Sequence, residues 1–271
     1  MAKKKQLIIP VFIPFAGCAH QCVYCDQPSI TATEVQPDTS TIVSIVERHL
    51  STWKHEGRIE IAFYGGTFTA LSKEAQSAFL KTAYVYVKAG RVHAIRISTR
   101  PDFITNEILE LLIGYGVDTV ELGAQSMCDD VLTKSGRGHT ADDTVRAVSL
   151  LRARGFKTGI QFMPGLPGDS EATINESAKK IAALSPDFIR IYPTVVLKNT
   201  PLYKMFLSGK YIPWPLDKMV RVCKTAALIF AAKGIPIIRM GLQQTAALEE
   251  NIVAGPHHPS FRQLVDNLAG A

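Results

Sequence analysis

The chain has 271 residues, with 30 Lys and Arg against 24 Asp and Glu for a net charge of +6, and it is 46% hydrophobic and 20% charged. That balance excludes disordered, collagen-like and disulfide-scaffold classes. No apolar run approaches the ~18 residues that span a bilayer, and Lys3, Lys4 and Lys5 carry half of the net charge, so the rest lacks the concentrated basic field of a dedicated nucleic-acid binder.

Short β-rich runs alternate with helical patterns from the start. A strand over 7–14 leads into Cys18-Ala19-His20-Gln21-Cys22-Val23-Tyr24-Cys25. A helix over 41–53 precedes a second strand, 59–64, which ends on Gly65-Gly66-Thr67. After a helix over 73–88, strand 94–99 runs into Ser98-Thr99-Arg100-Pro101-Asp102; after a helix over 106–114, strand 119–123 runs into Glu121-Leu122-Gly123-Ala124-Gln125. Strand alternation places Glu121, Gly123 and Gln125 on one side, and a buried Glu121 needs a cationic partner such as Arg96 or Arg100. The loop Gly136-Arg137-Gly138-His139 enters a helix over 141–154, followed by strand 157–163 with Met163-Pro164-Gly165-Leu166-Pro167-Gly168 at its end. A helix over 170–184 and a strand over 188–192 complete the sixth unit; Gly90, Gly116 and Gly155 mark three helix stops. The pattern then changes to a long helix over 216–233, a further strand over 235–240, and short helices and turns.

Repeated βα units give parallel strands with crossover helices, buried on both faces. Six of them curve into a partial (β/α)6 TIM-like barrel of the α/β class, with a C-terminal helical extension. The expected division is a barrel over 1–240 and an extension over 241–271 packed on it. Ligands of such barrels lie at the carboxyl ends of the strands, so the segments after each strand are where chemistry is expected. No signal-type cleavage pattern follows the first apolar stretch, which predicts a cytoplasmic protein with reduced thiols and no membrane partner.

Three of the five cysteines fall in the C-x3-C-x2-C run after the first strand, a spacing that chance produces with a probability on the order of 0.002. Three thiolates on one short loop suit a soft metal. Zinc, with His20 as a borrowed fourth ligand, is one reading, although structural zinc usually joins two paired knuckles and no second pair exists here. A reactive dithiol is another. The third is an iron–sulfur cluster with one iron left open, free to chelate the amino and carboxylate groups of a small molecule and pass it an electron.

The cysteine run, with the aromatic Tyr24 before its last cysteine, resembles the signature of the radical SAM superfamily. The phrases GGTFTAL, STRPD, ELGAQS, MPGLPGD and RIYPTVVLKNTPLY are similar to the radical SAM region of the Elongator catalytic subunit, over about residues 13–240. The resemblance implies a 4Fe–4S cluster on Cys18, Cys22 and Cys25, and S-adenosylmethionine (SAM) cleaved to a 5′-deoxyadenosyl radical that abstracts hydrogen from a substrate. It places the backbone of Gly65, Gly66 and Thr67 at the SAM amino group, Ser98 and Arg100 at the ribose, Arg137 at the carboxylate, and Met163 at the adenine, with Gln125 and Tyr24 nearby. Thr67 stands where the family pattern has Glu. The resemblance also implies a one-electron donor of the flavodoxin or ferredoxin type, and a substrate that is RNA or a polar metabolite. The chain is expected to lack the acetyltransferase domain and the basic tRNA-binding extension of that subunit.

Other readings stay open at this stage: a non-catalytic iron–sulfur or zinc-binding regulatory module, Arg100 and Arg137 as solvated arginines, and Tyr192 as a core aromatic. Arg190, Tyr192, Thr194, Lys198 and Arg239 lie where a substrate is met. His257 and His258 are expected to be structural or solvated, and Cys128 and Cys223 to be small buried hydrophobes.

Overall fold

The computed structural model describes residues 5–18, 20–26 and 37–268; the expectations about Lys3 and Lys4 lie outside them. In chain order the elements are β1 (Lys5–Ile13), α1 (Thr39–Thr52), β2 (Gly57–Gly65), α2 (Lys73–Lys88), β3 (Ala94–Thr99), α3 (Asn106–Gly114), β4 (Val117–Gln125), α4 (Asp129–Lys134), α5 (Ala141–Ala153), β5 (Lys157–Phe162), α6 (Glu171–Ala183), β6 (Phe188–Ile191), β7 (Val196–Leu197), α7 (Pro201–Leu207), α8 (Leu216–Ala231), β8 (Ile237–Met240), α9 (Ala246–Asn251), β9 (Ile252–Ala254) and α10 (Phe261–Asn267).

Seven strands form one sheet in the order β1-β2-β3-β4-β5-β6-β8, and every neighbouring pair is parallel. Sequential order with one crossover helix after another is what a singly wound, barrel-like sheet requires. The strand expected over 235–240 is the seventh member. β-Branched and apolar side chains of the strands, among them Ile9, Ile61, Ile95, Val120, Ile160 and Ile189, are fully buried. Helices pack outside them through buried stripes such as Leu80 and Ala83 of α2 and Ile174, Ala178 and Ile181 of α6.

Local chemistry fixes the helix starts. Asp38, Ser72, Thr105, Thr140 and Ser170 each accept a hydrogen bond from the first turn of the helix they precede, satisfying N–H groups that the helix leaves orphaned. Each cap also defines where the preceding loop ends.

After residue 192 the expected long helix and strand are present as α8 and β8, and a ribbon is added to the expected short helices and turns. Val196 and Leu197 pair antiparallel with β9 to make a separate two-stranded ribbon. Leu197 of the ribbon, Val195 just before it and Leu248 form a small apolar cluster of their own. Strands of two or three residues carry no readable alternation, which is why the sequence pattern misses them. No helix among the described residues is long and apolar enough to cross a membrane.

Candidate active site

A cavity of about 470 Å³ opens at the carboxyl ends of the strands, and its lining includes Cys18, Cys22, Tyr24, Cys25, Gly65, Gly66, Thr67, Ser98, Arg100, Gln125, Arg137 and Met163. Residues expected from six separate segments thus share one space. The parallel sheet accounts for this, because every strand delivers its following loop to the same end.

The thiol loop is seated by the glycine pair at the end of β2. Gly66 N donates to Ile13 O at 3.0 Å and Thr67 N to Ala16 O at 2.8 Å. A Cβ at Gly66 would lie 2.1 Å from Ala16 O, and one at Gly17 would lie 2.3 Å from Thr67 O. The missing side chains therefore allow two backbones to touch, with Gly17 also at φ +71°. Glycines expected to approach a ligand first serve to hold the cysteine loop. Thr67, 2% exposed, sits with its hydroxyl 3.6 Å from Cys18 Sγ. Gly66→Ala is expected to lower stability by about 1–3 kcal/mol and to reduce the metal retained by the loop; an unchanged unfolding midpoint with full metal content would refute this role.

Arg137 is buried under the loop. Its Nη1 donates to Cys22 Sγ at 3.1 Å and to Tyr24 Oη at 3.3 Å, and its Nη2 donates to the Gly123 carbonyl. Burial works against its charge, but Tyr24, Cys22 and Cys25 outweigh that and hold the guanidinium firmly protonated. Burial likewise pushes the Tyr24 phenol up. The alternative of a surface arginine is thereby corrected: Gly136 and Gly138, both with positive φ, turn the loop inward. Neighbouring His139 is kept neutral, its pKa lowered to about 3 by burial and then by Arg137.

Arg100 is only 4% exposed, which corrects the solvated alternative, and it grips Asp102 with two bonds of 3.0 and 2.8 Å. It is therefore not the partner of Glu121. Ser98 accepts from Gln161 Nε2 at 3.2 Å. Gln125 adopts φ +67°, and its carbonyl accepts from Met163 N at 2.9 Å, tying the ends of β4 and β5 together. Within the next turn, Asp169 accepts from Gly165 N and Leu166 N at 3.0 Å each and from Thr173 Oγ1 at 2.9 Å; burial still pushes its carboxyl up to about 6.

Deeper in the barrel, Glu121 accepts from Tyr64 Oη at 2.9 Å, Arg96 Nη1 at 2.8 Å and Arg190 Nε at 2.6 Å. Arg96 also donates to Glu60 at 2.9 and 2.6 Å, and Arg58 closes the chain on Glu60. Burial alone would push the Glu121 carboxyl up; Arg190 and Arg96 overcome it and hold it below the usual carboxylate range. Arg96 was readable as a partner from strand alternation, whereas Arg190, two strands away, was not.

The fit of a cluster and SAM rests on these groups. Arg100 Nη1, Gln125 Oε1 and Arg137 Nε, all on residues lining the cavity, are buried without hydrogen-bond partners among the described residues. Such atoms are costly unless a ligand or water meets them. Cys18, Cys22 and Cys25 all line the cavity, and three thiols on one short loop are the soft donor set that a cluster with one open iron takes. The donor set fits the cluster.

Parallel strands in sequential order, with a thiol loop after the first and a glycine pair after the second, define a class. Residues 12–181 match the family model of the radical SAM superfamily, and residues 186–269 match that of the radical SAM C-terminal domain. The chain belongs to the radical SAM superfamily, whose enzymes use a 4Fe–4S cluster and SAM. It is 31% identical over 192 residues to the tRNA uridine(34) acetyltransferase of Methanocaldococcus infernus, covering 64% of this chain and 36% of that one. It is 30% identical over 193 residues to Elongator complex protein 3 of Mus musculus, covering 64% and 35%. The chain thus spans about a third of the length of these relatives. Its fold is that of archaeal Methanocaldococcus infernus Elp3 with an N-terminal deletion, with a TM-score of 0.76 and 24% identity over 97% of this chain and 62% of the other, a curled half-barrel.

The sequence pattern did not find Phe12, Gln161, Val195, Leu197, Leu242 and Leu248, which also line the cavity. Gln161 follows from alternation along β5, but the leucines arrive from the short ribbon, a turn and the six-residue α9 and carry no local signal. Tyr192, read as a possible core aromatic, lines the cavity. Cys223 is fully buried and Cys128 half-buried, and His258 accepts from Ser260 N at 3.0 Å in its own turn.

Proposed function

We propose that Cys18, Cys22 and Cys25 hold the cluster, and that SAM lies across the ends of β2 to β5. When bound, the two supply reductive cleavage of the sulfonium to a 5′-deoxyadenosyl radical, which takes a hydrogen atom from the substrate. The observation that carries this reading is the confluence of the three thiols and nine further candidates in one cavity.

The chain's own residues bind, orient and shield. The backbone of Gly65, Gly66 and Thr67 meets the amino group, and Ser98 and Arg100 meet the ribose. Met163 packs on the adenine, and Gln125 offers its unpartnered oxygen. With Nη1 of Arg137 engaged twice and one Nη2 hydrogen on the Gly123 carbonyl, Nε–H and the second Nη2–H are the donors left for a carboxylate. Tyr24 covers Cys22 and keeps water from it.

The substrate is a polar small molecule or RNA; the relatives' name, tRNA uridine(34) acetyltransferase, supports RNA. Electrons come one at a time from a flavodoxin- or ferredoxin-type donor, in the cytoplasm. Residues 1–240 make up the barrel and 241–271 an extension packed on it, the packing being supported by Phe261 and Val265 of α10, which join the main core.

Anaerobic reconstitution with iron and sulfide tests the reading. The expected result is about four irons per chain, retention of SAM in equilibrium dialysis, and 5′-deoxyadenosine on adding dithionite. SAM retained without deoxyadenosine under any reductant would leave a regulatory module in its place, and stoichiometric zinc without iron uptake a zinc-binding one.

A further inference from the structure

The cavity has two differently built ends. The ends of β1 to β5 supply the thiols and the SAM candidates, while β6, β8 and the segments after them supply Arg190, Tyr192 and Arg239 beside an apolar wall. That wall is the small cluster of Val195, Leu197 and Leu248, with Leu242 packed on it.

Arg190 and Arg239 are register partners on adjacent parallel strands, and both line the cavity. Two guanidinium groups side by side repel unless carboxylates separate them. Glu121 answers Arg190 through bonds of 2.6 and 3.1 Å, and its remaining capacity goes to Arg96 and Tyr64. Arg239 has no ion pair or hydrogen bond among the described residues, although it is half-buried. A half-buried cation lining a cavity, next to a second cation already neutralised, leaves a positive charge unmatched among the described residues. The planar fork of Arg matches an oxyanion, and the Tyr192 hydroxyl, near both arginines, adds a neutral donor.

We propose that Arg239 anchors an oxyanionic group of the substrate, a carboxylate or a phosphate, with the rest of the molecule lying along the apolar wall toward the thiol end. This deepens the reading of the cavity as a radical SAM site and rests on it. Arg239 is then a specificity-determining residue: it selects anions and leaves the cluster untouched.

The test uses the full chain, reconstituted anaerobically and loaded with SAM, in equilibrium dialysis against labelled butyrate and labelled inorganic phosphate, with butyramide as neutral competitor. Wild type is expected to retain at least one anion, butyramide is expected not to displace it, and Arg239→Gln is expected to lower retention at least tenfold. Arg239→Lys should recover part of it, and Tyr192→Phe should lose less than Arg239→Gln. Retention of butyrate identifies a carboxylate source, and retention of phosphate a phosphate source. Because Arg239→Gln also removes a like-charge neighbour of Arg190, its melting temperature should equal or exceed that of wild type, whereas an arginine with a structural role would show a fall. Iron content and SAM retention are measured in the same samples. If they are intact and neither anion is held, or Arg239→Gln holds it equally well, the oxyanion anchor is wrong; if iron or SAM is absent from wild type, the radical SAM reading itself has failed.

Discussion

Replacing Cys18, Cys22 or Cys25 with alanine, one at a time, is expected to abolish the cluster, with iron falling from about four per chain to a small fraction of that and deoxyadenosine formation lost. A cubane held by two thiolates has two irons open to solvent. The three variants should differ in the metal-free protein. Cys22 is 8% exposed, packs in an apolar cluster with Tyr24, Val131, Leu166, Leu202 and Tyr211, and accepts from Arg137. Its removal should lower stability by about 1–2 kcal/mol, because a buried guanidinium loses a partner. Cys18 and Cys25 are only half-buried and should change metal-free stability little. Iron analysis and urea unfolding separate the two effects, and full iron content in all three variants would refute the ligand assignment. The loop is accordingly less peripheral than its sequence suggests: Leu202 N also donates to Val23 O at 2.8 Å, binding α7 to it.

The second large effect is expected at Glu121. Glu121→Ala should cost about 3–5 kcal/mol, since truncating one member of a buried ion network leaves its partners charged and unpaired. That is a large share of the 5–15 kcal/mol typical of a folded domain. Arg96 keeps Glu60, but Arg190 keeps no carboxylate and Tyr64 loses its acceptor. Glu121→Gln preserves volume and one acceptor and should fall between wild type and Ala. Exchanging Arg190 for Met in the Gln background should recover part of the loss. The pH dependence has a fixed sign. The Glu121 carboxyl is held below its ordinary range, so the unfolded chain takes up the proton first on acidification. Its contribution is present above the unfolded pKa and is lost as pH falls through the folded one. Urea midpoints across the acidic range check this; an Ala variant within about 0.5 kcal/mol of wild type would show that the network adds nothing.

Much of the site was legible because radical chemistry here is encoded in local spacing. Cys18, Cys22 and Cys25 lie within one turn-rich loop, and Gly65 and Gly66 follow directly on a strand. The partners of each residue were harder to read. Glu121 was expected to find Arg96 or Arg100; it took Arg96 and Arg190, while Arg100 turned to Asp102, two residues away. Strand alternation says which face a side chain occupies but not how far along a twisted sheet its neighbour stands.

The βα order, the cysteine loop and the end of the barrel where the chemistry gathers are all written in the chain, because each depends on contacts within a few residues or on a repeating period. The three-dimensional arrangement was needed to show that Gly66 seats the thiol loop, that Arg137 lies buried against Cys22, and that Arg239 stands beside Arg190 with no carboxylate paired to it among the described residues. Those facts join residues tens to more than a hundred positions apart, and they follow from strand register and the curl of the sheet, which no local pattern specifies.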